Sequence, residues 1–176
     1  MNEMVILDIG CGHRKAPNSI CVDIRRTRGA DIIAEVCRPP FKDESIDEII
    51  CSEVLEHVDD LVKATEEVHR VLKPGGKVMI KVPHVKSLDT FRDPTHKNFF
   101  TIATMDYFTD ASSYSYYSKA KFRIINKSII ILTEQKFKWL ERIYNFRPEF
   151  TEHFLLGYLK PHIRCELEKA DERYEK

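Results

Sequence analysis

The chain has 176 residues, with 28 Lys and Arg balanced by 28 Asp and Glu. That length suits one domain over residues 1–176, able to bury about two thirds of its unfolded surface without staples, and zero net charge argues against a nucleic-acid partner held through its phosphates. No apolar run reaches the roughly 18 residues of a membrane span, no secretory leader is read before the first strand, and five cysteines without CxxC spacing read as reduced thiols of a cytoplasmic protein.

Met4 to Ile9 is a nearly continuous apolar run ending in Gly-Cys-Gly, which predicts a buried parallel strand and a tight turn. Short strands are predicted at Ile20–Ile24, Asp31–Val36 and Ile46–Cys51. The gap after the first strand leaves room for only one or two turns of crossover helix. From Asp59 to Leu72 apolar residues recur at helical spacing; Asp59 or Asp60 caps the start, and Pro74 with Gly75 ends the helix. A fifth strand follows at Lys77–Val82, stopped by Pro83. His84 to Phe100 reads as a polar loop, and Thr101 to Ser118 as a helix and then a loop. Phe122–Leu132 is a long strand, Phe137–Leu159 helical pieces broken at Pro148, and His162–Lys169 a last strand. Strands alternating with crossovers predict an α/β fold, a reduced doubly wound sheet, mostly parallel.

In such a sheet a ligand sits beyond the carboxyl ends of the strands. Gly10 and Gly12 let the backbone turn sharply and approach a ligand, and Asp8 lies just beneath that turn. The dinucleotide fingerprint needs a third small residue where this chain has Lys15, and an acid about 20 residues further on. Here the acid, Asp23, is much nearer, at the tip of the second strand, where it can accept hydrogen bonds from a ribose.

LDIGCG, Asp23, AEVCRPPFKDESIDEI, CSEVLEHVDD and EEVHRVLKPGGKVMI, in that order, resemble the class I S-adenosylmethionine-dependent methyltransferases, in particular the type 11 subgroup. The resemblance implies a Rossmann-like fold, a mostly parallel central sheet with an antiparallel C-terminal strand, and S-adenosyl-L-methionine as cofactor. It implies that Asp8, Gly10, Cys11 and Gly12 wrap the methionine moiety, and that Asp23 holds the ribose with Ile24 beside the adenine. It places Glu35 and Val36 at the adenine edge and face. Cys51, Ser52 and Glu53 come near the methionine amino group and sulfonium, and His57 near the active-site mouth. The family often has a third glycine where Arg14 stands.

VPHVKSLDTFRDPTHKNFFT follows the fifth strand, and similar segments occur in type 11 relatives. Three readings are open for it. His84 or His96 is a general base oriented by Asp93; the three hold a divalent metal; or the segment is structural. His84, Asp93 and His96 are taken as the catalytic candidates, and no metal set is assigned. Tyr107, Phe108, Tyr114, Tyr116 and Tyr117 line an acceptor pocket or cover a core. The expected reaction is methyl transfer to oxygen or nitrogen of a small-molecule or saccharide-type acceptor, by a monomer or homodimer. The alternatives are an RNA or protein methyltransferase and a non-catalytic binding module.

Overall fold

The run Met4–Ile9 yields β1 (Ile6–Ile9) in the computed structural model, which describes residues 4–110, 112–131, 139–154 and 160–170. Apart from Asp8, its side chains are apolar on both faces because it is central. It pairs in parallel with β2 (Ser19–Asp23) on one side and β4 (Ile46–Ser52) on the other. β3 (Ile32–Ile33) extends the sheet beyond β2, and β5 (Leu72–Pro83) beyond β4. β7 (Pro161–Lys169) then lies between β5 and β6 (Phe122–Ile131), antiparallel to both. The order β3-β2-β1-β4-β5-β7-β6, with one antiparallel strand from the C-terminal part of the chain, is the expected Rossmann-like α/β sheet.

The helix after β4 forms where the apolar spacing predicts it. In α1 (Leu61–Val71), Asp60 is the N-cap and accepts from the Lys63 N–H at 2.8 Å. Ala64, Thr65, Val68 and Val71 are its buried face. The apolar members of that face join Leu7, Ile49, Val78 and Leu167 in the core, each fully burying its side chain for about 1.5–3 kcal/mol with the larger aliphatics.

Four expectations need correction. The helix does not end on Pro74-Gly75. It ends at Leu72, whose extended backbone already begins β5, and the Pro-Gly-Gly run is an irregularity inside that strand. There Gly75 has φ +74°, and a Cβ on Gly76 would meet the Lys73 carbonyl oxygen at 2.8 Å. β3 has two residues rather than six, because the chain turns away after the Ala34 N–H bonds the Asp23 carbonyl. Residues 10–18 contain no helix at all. Finally, Cys11 and Cys21 are not free thiols: they form a disulfide across that helix-less crossover, with Cα atoms 5.9 Å apart, while Cys37, Cys51 and Cys165 are free.

The polar loop after β5 carries α2 (Leu88–Arg92), and 3-10 turns occupy Thr104–Phe108 and Ser115–Tyr117. α3 (Trp139–Tyr144) and α4 (Pro148–Thr151) flank the break expected at Pro148. The expected helical ends at 137–138 and 155–159, and the strand end at Leu132, lie outside the described residues. No helix among the described residues is long and apolar enough to cross a membrane.

Candidate active site

The glycine turn is built at the carboxyl ends of β1 and β2. Gly10 has φ +70° and Gly12 φ +56°, the left-handed region that favours glycine. A Cβ on Gly10 would lie 2.2 Å from Val54 Cγ2, so this glycine lets the segment after β4 close against the turn. A Cβ on Gly12 would meet nothing within 4 Å; that position borders open space. Gly29 packs behind the turn, its α-carbon too near the Gly12 carbonyl and Cys11 sulfur for a side chain to enter freely.

Two carboxylates hold this turn. Buried Asp8 accepts from the Ala16 N–H at 2.8 Å; burial pulls its pKa up, against that hydrogen bond and the Lys15 charge. Asp23 accepts from the Gly12 N–H and the Arg25 N–H, at 2.9 and 2.8 Å. Asp31, through its side chain, accepts from the Cys21 N–H at 2.8 Å and pairs with Lys15. Ile24 follows Asp23 with 63% of its surface exposed, an apolar face beside the acid. Glu35 is exposed at the same edge, and Val36 is packed into the core.

At the end of β4, Cys51 is buried beside Ile9, and Ser52 is half-buried opposite Lys81. Burial, with Glu56 and Asp8 nearby, pushes the Cys51 thiol far up, so it stays neutral. Glu53 has φ +58° and is already paired: Lys81 lies 2.7 Å and His162 3.4 Å from Oε1. Burial opposes its charge, but these two partners hold its pKa down to about 2. Glu53 therefore ties β4 to β5 and β7.

The segment after β5 docks on the turn after β4. The Glu56 carbonyl accepts from the backbone N–H groups of Lys97 and Asn98 at 2.7 and 3.1 Å. The Asn98 amide donates to the Leu55 and Val58 carbonyls at 3.0 and 2.7 Å. This places His57 against His96, ring centroids 4.7 Å apart. His96 Nδ1 lies 2.8 Å from the Thr90 carbonyl, which can only accept; Nδ1 therefore carries the proton and Nε2 the free lone pair. His57 Nδ1 lies 2.9 Å from the Thr95 hydroxyl, which donates to Asp93 at 2.7 Å. The same polarity follows: Asp93 accepts from Thr95, Thr95 from His57, and His57 Nε2 is basic. Asp93 Oδ2 is 4.0 Å from His96 Nε2, so its contact to the site runs through Thr95 to His57.

Beneath the pair is Glu56, 1% exposed, its carboxyl against that of Glu53. Burial above all, and the neighbouring Glu53, raise its pKa to about 8.

His84 is not with the others. It is 1% exposed; Nδ1 accepts from the Lys86 N–H at 3.0 Å, and Nε2 donates to Glu152 at 3.0 Å. Glu152 also accepts from the Ile102 N–H. With both nitrogens engaged, His84 clamps the end of β5 to the turn after α4, a physical reason against its use as a base. Tyr107 packs against the core beside buried Phe108, while Tyr114, Tyr116 and Tyr117 are exposed. Sequence reasoning passed over Val54, Glu56, Thr95 and Asn98. Of these only Glu56 left a signal, a charge held between apolar Leu55 and His57.

A glycine turn, an acid at the tip of β2 and a 3-2-1-4-5-7-6 sheet define a class I S-adenosylmethionine-dependent methyltransferase fold. The comparisons agree. A family model described as "Methyltransferase domain" matches residues 16–80. A SAM dependent methyltransferase from Archaeoglobus fulgidus superposes with TM-score 0.64 at 19% identity, covering 94% of this chain and 86% of that one. The chain is therefore similar to this class in fold, and in sequence to its methyltransferase domain over residues 16–80.

Among curated relatives, an uncharacterized protein of Methanocaldococcus jannaschii, MJ0638, is 35% identical over 99 residues, covering 49% of this chain and 44% of its own length. A 2-phytyl-1,4-naphtoquinone methyltransferase of Nostoc punctiforme is 32% identical over 105 residues, covering 58% and 46%. Others are named a probable tRNA methyltransferase 9B, from Mus musculus, and a tRNA U34 carboxymethyltransferase, from Nautilia profundicola. The chain spans less than half the length of these relatives.

The residues present fit the family's cofactor. The Gly12 backbone is approachable, Asp23 keeps lone pairs for a ribose after its two backbone bonds, and exposed Ile24 offers an apolar surface to a base.

Proposed function

We propose that this chain transfers the methyl group of S-adenosylmethionine to oxygen or nitrogen of a small-molecule or saccharide-type acceptor. The cofactor supplies a methyl already activated on a sulfonium, so the protein has mainly to align and desolvate. Asp8 and the Cys11–Cys21 link fix the glycine turn, and Asp23 and Ile24 present the ribose and adenine contacts. His57 and His96 are the acceptor-end groups, with Asp93 as a positioning residue acting through Thr95.

One observation carries the reading. Both imidazoles are held with Nδ1 engaged, leaving a basic nitrogen on each of two rings whose centroids are 4.7 Å apart, in the segment that follows β4 and the loop docked on it. That arrangement suits an acceptor that must be oriented and lose a proton. The relatives named as a tRNA methyltransferase and a tRNA carboxymethyltransferase favour an RNA acceptor as a second reading; the zero net charge weighs against it.

The test is S-adenosylhomocysteine formation across a panel of sugars, hydroxylated aromatics, amines and tRNA. Turnover on a sugar, phenol or amine supports the proposal. Turnover on tRNA alone replaces it with the second reading.

A further inference from the structure

We infer that Glu56, His57 and His96 form a binding site for a divalent transition-metal ion. A carboxylate oxygen of Glu56 and a ring nitrogen from each histidine all lie within 4.8 Å of one another. The three come from two segments that the Glu56 carbonyl itself bolts together, through Lys97 and Asn98. Their relative positions are therefore set before any ion arrives.

Three features of the chemistry point the same way. Glu56 is buried against a second carboxyl, that of Glu53, a pairing that a cation beside it would relieve. Each imidazole donates Nδ1–H to an oxygen behind it, the Thr90 carbonyl for His96 and the Thr95–Asp93 pair for His57. A metal-ligating histidine is held in this way: the outer hydrogen bond fixes the tautomer and strengthens the inner nitrogen as a donor. The set of two imidazoles and one carboxylate suits zinc, nickel, cobalt or iron better than magnesium or calcium, which prefer oxygen alone.

Ligation at about 2.0–2.2 Å per bond brings neighbouring donor atoms to roughly 3.4 Å of one another. The cluster must therefore close by up to an ångström or so, which side-chain rotation can supply. Three protein ligands leave positions open, as at catalytic sites. At the acceptor end those positions fit a hydroxyl or amine, whose proton a bound cation makes easier to lose. This use of the ion rests on the proposed function, but the binding site does not. The trio differs from the one expected from sequence, since His84 is committed to Glu152 and Asp93 stands behind His57.

The test is a titration of the full chain, freed of metal by chelator and dialysis, with Co²⁺ by visible absorption and Zn²⁺ by calorimetry. S-adenosylhomocysteine binding is measured on the same samples. The expectation is one ion per chain, with affinity falling at least tenfold in Glu56→Gln and in His96→Ala. Exposed His153→Gln is expected to bind as the parent does. Homocysteine-compound binding verifies that each variant is folded. Absence of stoichiometric metal binding, or affinity unmoved by both site variants, overturns the site. If the homocysteine compound still binds in that case, the methyltransferase reading stands. Metal binding without homocysteine-compound binding keeps the site and removes the proposed function.

Discussion

The backbone N–H of Gly12 donates to the carboxylate of Asp23 at 2.9 Å, so the glycine turn and the acid at the tip of β2 are one structural unit. The acid aims the turn, and the turn aims the acid. Asp23→Ala is expected to weaken S-adenosylhomocysteine binding by about 1–3 kcal/mol, through lost ribose hydrogen bonds and a loosened turn. Calorimetry checks this. Unchanged affinity in a folded variant removes Asp23 from the cofactor site.

Two glycines in one turn are expected to respond differently. Gly10→Ala drives a methyl group into Val54 and forces a residue with φ +70°, so the protein loses about 2–4 kcal/mol of stability. Val54→Ala in the same chain restores part of that loss. Gly12→Ala meets no protein atom and costs only about 1 kcal/mol of backbone strain. It is expected to cost more in homocysteine-compound affinity than in stability, because the added methyl occupies the open side of the turn. Denaturant melts beside binding curves separate the two effects.

Reduction of the Cys11–Cys21 bond opens a loop of about ten residues and is expected to cost roughly 2–3 kcal/mol. The melting temperature falls with a strong reductant in the parent and is insensitive to it in Cys11→Ser/Cys21→Ser. A parent whose melt ignores reductant contradicts the pairing. Cofactor affinity falls with reduction too, because the freed segment carries Cys11 and Gly12.

His69 gives the protein a predictable acid response. Burial, helped by Lys169, lowers its pKa to about 4 from an ordinary 6.5, against the Lys121 carbonyl that its ring bonds. The unfolded chain then binds the proton more readily between those values, so stability falls as pH drops from about 6.5 to about 4. Allowing for its partial exposure, the share of this one group is about 1–2 kcal/mol. His69→Gln is expected to flatten that part of the stability curve. An equal slope in parent and variant shows that another group is responsible.

His96→Ala is expected to reduce turnover by tenfold or more while leaving homocysteine-compound affinity within about threefold, since its nitrogen is at the acceptor end. Full activity makes His96 a docking residue for its loop.

The sequence announces what local rules govern. β1 is legible because a central parallel strand is apolar on both faces but for Asp8, and α1 because Asp60 caps an amphipathic run. The start of β5 is not, since Pro74-Gly75-Gly76 reads as a stop wherever it occurs and only the pairing with β4 makes it a bulge. The cofactor turn is legible for a similar reason: Gly10, Gly12 and Asp23 lie in one stretch of 14 residues. The acceptor end is assembled across larger distances. His84 finds Glu152 68 residues away, and Thr95 finds His57 38 residues away. No pattern along the chain records which histidine is a clamp and which is free.

The place of β7 has a consequence for how the protein comes to exist. It is the last of the described strands in sequence yet lies between β5 and β6, and its His162 reaches Glu53 at the end of β4. While the chain is being synthesised, β1 to β5 can assemble with the cofactor turn complete, but one edge of β5 waits uncovered until Pro161–Lys169 emerges. During that interval the growing chain is most exposed to pairing with the wrong strand, and bound cofactor would be one way to steady the half-built sheet.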